Sequence, residues 1–168
     1  MKKNITLTGM MGAGKSFIAE YLVQRLEGFV AVDTDRLVEY HYGQFIPEMF
    51  SQKGEEYFRD AETQIIEKVY QKNNLIISLG GGSFEREKNR KIALENSTVI
   101  YLKATPQTLF ERVCNSTNRP LLKPGFGFDS VAEILANREK NYKLAHYTVE
   151  TDGKTPECVV NEILEIVG

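Results

Sequence analysis

Cysteine is scarce in this chain of 168 residues, and the little there is forms no pattern. Cys114 and Cys158 make neither a C-x-x-C pair nor a Cys/His metal spacing, which argues against a redox dithiol or a structural zinc site. Both lie in helix-like stretches and are expected there as buried thiols. An excess of one charge is also missing. Lys and Arg number 21 against 23 Asp and Glu, for a net charge of −2. That balance excludes a general nucleic-acid surface or an anionic-membrane binder, although a local arginine cluster for a small anion stays compatible with it. No apolar run is long enough to span a membrane. Lys2-Lys3 is followed by a run broken by Asn4, Thr6, Thr8 and several glycines, unlike a secretory leader. There is no low-complexity tract and no internal repeat. The expectation is a cytoplasmic protein with one domain over residues 1–168, long enough to bury a real core.

What is present centres on Gly9 to Ser16, Gly-Met-Met-Gly-Ala-Gly-Lys-Ser. An apolar run, Ile5 to Thr8, precedes it, and an amphipathic run from Phe17 to Val23 follows. That is strand, glycine-rich turn and helix, with the G-x-x-x-x-G-K-S spacing of a phosphate-binding P-loop. Glycines let backbone N–H groups curl around a phosphate, and the helix N-terminus adds donors and a favourable dipole. Lys15 supplies charge for the β- and γ-phosphates, and the Ser16 hydroxyl is a Mg²⁺ ligand. The same glycines, with Asp33 about twenty residues on, also read as a dinucleotide turn. Lys15-Ser16 counts against that reading, because a dinucleotide pyrophosphate has no need of the pair.

Further along, the first helix is expected to end near Gly28, and Phe29 to Val32 reads as a nearly all-apolar strand covered on both faces. It runs into Asp33-Thr34-Asp35, two carboxylates at the strand end where ligands of open α/β sheets gather. One of them is also a candidate cap for a helix over residues 36–40. Helical periodicity from Ile46 to Lys72 is interrupted at Gly54 and sets Arg59 and Glu62 on one face. Leu75 to Leu79 is a second core strand and stops at Gly80-Gly81-Gly82, read as a substrate wall where a Cβ would block close approach. A helix over 86–95, a strand over 98–102, and a helix capped by Thr105 with Pro106 at its first position follow. That helix is expected to turn Leu109, Phe110 and Val113 inward and Arg112 outward. Residues 115–127 read as a Pro- and Gly-rich functional loop, with Arg119 placed to close over a phosphoryl group. Asp129 or Ser130 is expected to cap a long helix through Arg138 and Tyr142, before a strand over 147–151 and a helix over 156–167. Alternating strands and helices predict a three-layer α/β fold, a parallel sheet with helices on both faces.

Taken in order, Gly9–Ser16, Asp33-Thr34-Asp35, the stretch Glu55 to Glu62, Gly80–Gly82, Arg119-Pro120-Leu121-Leu122 and Arg138 resemble the shikimate kinases. Six motifs in series cover nearly the whole chain. The resemblance implies the nucleoside-monophosphate-kinase-like P-loop NTPase fold with a five-stranded parallel sheet. It also implies transfer of the ATP γ-phosphoryl to the 3-hydroxyl of shikimate, on the way to chorismate and the aromatic amino acids. By that resemblance Gly12, Ala13, Gly14, Lys15, Ser16 and Phe17 cradle ATP, flanked by Arg112, Arg119 and Lys154 on the adenine and lid sides. Ser16 ligates Mg²⁺, and Asp33 supports it through water. Asp35, Arg59, Gly80, Gly81, Gly82 and Arg138 hold shikimate. Lys15, Asp35 and Arg119 are the implied catalytic set. The substrate-binding segment is placed at about 33–62, the lid loop at about 115–127, and the protein is expected to act as a monomer. Leu79 stands where the family often has Thr, and Lys140 where it often has Pro.

The residues support the same chemistry unaided. Phosphoryl transfer needs in-line positioning and charge neutralisation, and arginines grip a carboxylate in a bidentate way. Two alternatives remain at this level: another small-molecule P-loop kinase such as a gluconate kinase, and an ATP-binding module without catalysis.

Overall fold

The computed structural model describes residues 4–114 and 127–168. Its first strand, β1 (Ile5–Thr8), is buried at every position, because each Cβ of a strand with helices on both faces meets a packed layer. The P-loop leads into α1 (Lys15–Val23). That helix ends five residues before Gly28, since Gln24 N and Arg25 N already make tighter bonds to Tyr21 O and Leu22 O. Strand β2 (Val30–Asp33) and helices α2 (Thr34–Tyr42), α3 (Ile46–Lys53) and α4 (Glu55–Val69) follow. Gly54 breaks α3 from α4 with φ +86°, the left-handed backbone a side chain resists. Strand β3 (Leu75–Ser78), a short 3₁₀ turn (Ser83–Glu85), α5 (Glu87–Asn96), β4 (Thr98–Lys103), α6 (Pro106–Cys114), α7 (Phe128–Tyr142), β5 (Tyr147–Glu150) and α8 (Pro156–Val167) complete the order.

The five strands pair in parallel in the order β2-β3-β1-β4-β5. The register sets Leu7 beside Ser78 and Ile100, which brings the carboxyl ends of β1 and β3 together. Asp33, the last residue of β2, pairs with Ser78 at the end of β3. The P-loop, the two aspartates and the glycine triplet therefore leave the sheet at one edge, as expected for an open parallel sheet. The architecture is the expected parallel α/β sheet flanked by helices.

Several local expectations need correction. β2 is an edge strand, and Val30 is 57% exposed, so its apolar run reflects one covered side and not two covered faces. Both cysteines are exposed. The inward faces of their helices are taken by Leu109 and Val113 in α6 and by Val159, Val160 and Ile163 in α8. α7 starts one residue earlier than the expected caps, at Phe128, with the Ser130 hydroxyl accepting from Gly127 N at 3.5 Å. Arg112 turns toward the P-loop and not outward, for reasons given below. Thr105 does cap α6, accepting from Thr108 N at 3.3 Å.

Candidate active site

The P-loop is shaped by its own glycines and by α6. Gly12 has φ +82°, and a Cβ there would lie 2.9 Å from Val113 Cγ2 and 3.1 Å from Leu109 O, so no larger residue fits beneath α6. Gly14 (φ +88°) sits at the N-cap of α1 with open space around it, which leaves the helix N–H groups accessible to an anion. Ala13 is buried, and Phe17 stands half-exposed at the mouth. Lys15 Nζ donates to Gly9 O at 2.9 Å and Met10 O at 3.0 Å, folded back over the loop it serves. Arg112 reaches the loop from α6: its guanidinium donates to Gly12 O at 3.4 Å, Thr151 Oγ1 at 3.1 Å and Thr151 O at 3.3 Å. Lys154 lies just after Thr151 and pairs with Glu162 at 2.5 Å.

Asp33 has two tasks, one per oxygen. Oδ1 caps α2, accepting from Asp35 N at 3.0 Å and Arg36 N at 3.2 Å. Oδ2 accepts from the Ser16 hydroxyl at 2.5 Å, and Ser16 Oγ lies 3.1 Å from Ser78 Oγ. A cavity of about 300 Å³ opens beside Ser16, Asp33 and Ser78. Two hydroxyls and one carboxylate are hard oxygen donors with room for waters, and Mg²⁺ favours few protein ligands plus water and phosphate. The residues therefore fit Mg²⁺. Leu79 is buried in the core and offers no oxygen here, so Ser78 is the hydroxyl of this strand end beside Ser16.

Asp35 is the second residue of α2 and stands half-buried, and no hydrogen bond to its carboxylate is found among the described residues. Burial, then the negative charges of Asp33 and Glu62, push its pKa from 3.8 up to about 6, against the opposing pull of Lys15 and Arg59. A Cβ on Gly80 would overlap Asp35 Oδ1 and lie 2.9 Å from Ser83 Oγ. Glycine at 80 is thus required by the aspartate itself. Thr34 fixes the same residue, its hydroxyl accepting from Gly80 N at 3.0 Å.

Arg59 is held on both sides by carboxylates of α4. Nη1 pairs with Glu62 at 3.0 Å and Nη2 with Glu55 at 3.3 Å. Glu62 is only 1% exposed and also accepts a short bond from the Ser83 hydroxyl, so this is no surface ion pair. Arg59, Arg138 and Gly82 line one cavity of about 490 Å³, together with Glu55, Glu85 and Arg86. That size suits a small-molecule ligand. Gly81 lies between the two halves: its Cβ direction faces Met11 N at 3.4 Å, Arg138 Nη1 at 3.7 Å and Gly9 O at 3.8 Å. An arginine-lined cavity, an aspartate and a phosphate loop thus share one cleft.

A family model described as Shikimate kinase matches residues 11–167. The chain belongs to the shikimate kinase family. A shikimate kinase of Persephonella marina is 41% identical over 162 residues, covering 96% of this chain and 97% of that protein. One from Deinococcus radiodurans is 38% identical over 161 residues, with 96% and 81% covered. Among solved structures, a shikimate kinase from Acinetobacter baumannii in complex with shikimate superposes with a TM-score of 0.91 at 31% identity, covering 98% of this chain and 92% of that one. As in the kinases it resembles, the chain carries the P-loop NTPase fold.

Of the expected site residues, Gly12 to Phe17, Asp33, Asp35, Arg59, Gly80 to Gly82, Arg112 and Arg138 converge on the cleft. Arg119 and the loop at 115–126 lie outside the described residues. Thr34, Ser83 and Thr151 were invisible to sequence reasoning. Their only signal is a small hydroxyl beside a motif, and such residues are common everywhere.

Proposed function

We propose that this shikimate kinase works as an in-line phosphotransferase with Asp35 facing the acceptor hydroxyl and Arg59 and Arg138 holding the acceptor's carboxylate. ATP gives its γ-phosphoryl to the 3-hydroxyl of shikimate, leaving ADP and shikimate 3-phosphate. The observation that carries the residue assignment is the shared cavity of Arg59, Arg138 and Gly82, with Gly81 in reach of the P-loop backbone. Two guanidiniums on one side and one aspartate on the other match an acceptor with a carboxylate at one end and hydroxyls at the other.

The backbone from Gly12 to Phe17 receives the phosphates, and Lys15 swings from the loop carbonyls to the β- and γ-oxygens. Ser16 and, through water, Asp33 would hold Mg²⁺, which would supply charge neutralisation for the transferring group. Asp35 accepts a hydrogen bond from the attacking hydroxyl and takes its proton as the O–P bond forms. With its pKa near 6 it is a better base than an ordinary carboxylate and still ionised at neutral pH. Arg119, on the loop at 115–127, is the lid arginine that touches the phosphoryl group. Arg112 and Lys154 flank the adenine, and Gly80 to Gly82 form the wall against the ring.

One domain over 1–168, with the acceptor segment at 33–62 and the lid at 115–127, accommodates all these roles. We read the protein as a cytoplasmic monomer. No helix among the described residues is long and apolar enough to cross a membrane. The test is ADP release coupled to a dehydrogenase readout, with Mg-ATP and a panel containing shikimate, gluconate and other hydroxy acids. Turnover that depends on shikimate is expected. Turnover with gluconate alone, or ATP binding with no product, would replace this reading.

A further inference from the structure

The hydroxyl of Tyr142 lies at the back of the cleft and is claimed by none of the roles above. Tyr142 is the last residue of α7, fully buried, with its ring stacked on Tyr101 of β4 at 5.1 Å between centroids and 28° between planes. Its O–H donates to Gly81 O at 2.5 Å. The guanidinium of Arg138, one turn earlier on the same helix, approaches the same glycine, its Nη1 3.7 Å from the Cβ direction of Gly81. Gly81 has its Cα hydrogens turned toward Met11 N and Arg138 Nη1, so its carbonyl is the group that fixes the peptide on the side away from the cleft.

We propose that Tyr142 is a positioning residue for the acceptor half of the site, its hydroxyl pinning the Gly81 peptide against which the Arg138 guanidinium lies. The physical argument is one of degrees of freedom. Three successive glycines have the widest backbone choice of any tripeptide, yet here they form a wall. Gly80 is tied by Thr34 Oγ1 through its N–H, and Gly82 O accepts from Glu85 N at 3.2 Å, so the ends of the triplet are held. The middle carbonyl is held by Tyr142. Arginine has the opposite difficulty, a long side chain with many rotamers, and ordering it in advance reduces what the bound acceptor must supply. The stack on Tyr101 seats the ring against β4, so the hydroxyl position is referred to the sheet as well as to α7. The inference rests on the reading that Arg138 and Gly81 contact shikimate.

Tyr142→Phe tests it, since it keeps the ring, the volume and the stack and removes only the hydroxyl. The control is Tyr70→Phe, whose buried hydroxyl lies 2.7 Å from Thr6 Oγ1 of β1, itself 2.7 Å from Ser97 Oγ just before β4, away from the cleft. Loss of one hydrogen bond that orders a binding group corresponds to about a threefold to tenfold weaker interaction. The expected result is a rise of that size in KM for shikimate in Tyr142→Phe, with KM for ATP unchanged. In the control, only the melting temperature falls. In the double variant with Arg138→Lys, the KM increase is expected to be less than the product of the two single increases, because both changes act at the Gly81 peptide. An unchanged KM for shikimate in Tyr142→Phe, an equal rise for both substrates, or full multiplicativity with Arg138→Lys overturns the proposal. Absence of shikimate turnover in the wild-type protein overturns the reading beneath it, and that outcome is read separately from the variants.

Discussion

A Cβ on Gly82 would lie 2.7 Å from Arg59 Nη1 and closer still to Nη2. The glycine is there for the arginine. The guanidinium lies against the peptide of the triplet while Glu62 and Glu55 hold its two Nη atoms. Gly80 stands in the same relation to Asp35. The triplet thus lets Arg59 and Asp35, the two side chains proposed to hold the acceptor, lie against bare backbone.

Gly82→Ala is therefore expected to displace Arg59 without unfolding the protein, since φ at 82 is ordinary and the obstructing atoms end a flexible side chain. We expect KM for shikimate to rise by about tenfold or more, in line with a misplaced charged contact, and KM for ATP to stay put. Melting temperature and steady-state kinetics on one preparation check both halves. A large fall in stability with normal shikimate affinity would mean that Gly82 serves the backbone alone.

Glu62 holds Arg59 from within the protein and also raises the pKa of Asp35. Glu62→Ala leaves a mostly buried guanidinium without its nearest buried partner, and breaking such a pair costs about 3–5 kcal/mol. Glu62→Gln retains an acceptor for Ser83 and Arg59 but removes the charge. The milder variant is expected to keep the fold, weaken shikimate binding several-fold, and lower the Asp35 titration midpoint. Carboxyl-carbon NMR titration reads that midpoint, and no downward shift would separate Glu62 from Asp35 electrostatically.

The raised pKa of Asp35 has a definite sign in stability. Below its unfolded value of 3.8 the group is protonated in both states, and above about 6 it is ionised in both. Between them the folded protein holds the proton that the unfolded chain releases, so this group's contribution to stability falls as pH rises through that window. In the Mg²⁺-free, nucleotide-free protein, Asp35→Asn is expected to be more stable than wild type above pH 6, by about 1–2 kcal/mol after allowance for solvent screening. The advantage shrinks toward pH 4. Urea unfolding of both proteins across that range measures it, and a gap that widens toward acid pH contradicts the assignment. The same variant is expected to lose turnover at every pH.

Lys15 and Arg59 are expected to fail in different ways. Lys15→Ala removes charge from the transferring phosphoryl group and is expected to lower kcat by about 10²–10³, with shikimate affinity retained. Arg59→Ala is expected to raise KM for shikimate by about thirtyfold or more, as for truncating one member of a buried charged pair, with a smaller effect on kcat. Arg119→Ala is expected to resemble Lys15→Ala. Titration of each variant with shikimate, followed by rapid-quench turnover, resolves binding from chemistry. Identical defects in the Lys15 and Arg59 variants would dissolve the division between the phosphate half and the acceptor half.

The division between what sequence and fold each contributed follows from range. The P-loop has a local signature: its glycines, lysine and serine fall within eight residues at a fixed spacing, so Gly9 to Ser16 was readable directly, although α6 also shapes the loop. Alternating apolar runs and helical periodicities likewise determined a parallel α/β sheet, since burial on both faces leaves a period in the sequence. The series of motifs from Asp33 to Arg138 named the acceptor through resemblance. What the chain alone left undecided was every relationship that spans strands. The edge position of β2 depends on strand order, which no single strand encodes. The sequence set Arg59 and Glu62 on one helix face, but only the fold buries Glu62 under the 3₁₀ turn at Ser83, a contact over 21 residues. Arg112 turned inward because Gly12 and Thr151 offer carbonyls from two other loops. The two cysteines proved exposed because apolar neighbours filled the inward faces first. Local propensity determined the elements and the phosphate loop. Long-range packing decided which charges are buried together, and that burial gives Asp35 its basicity and Arg59 its fixed direction.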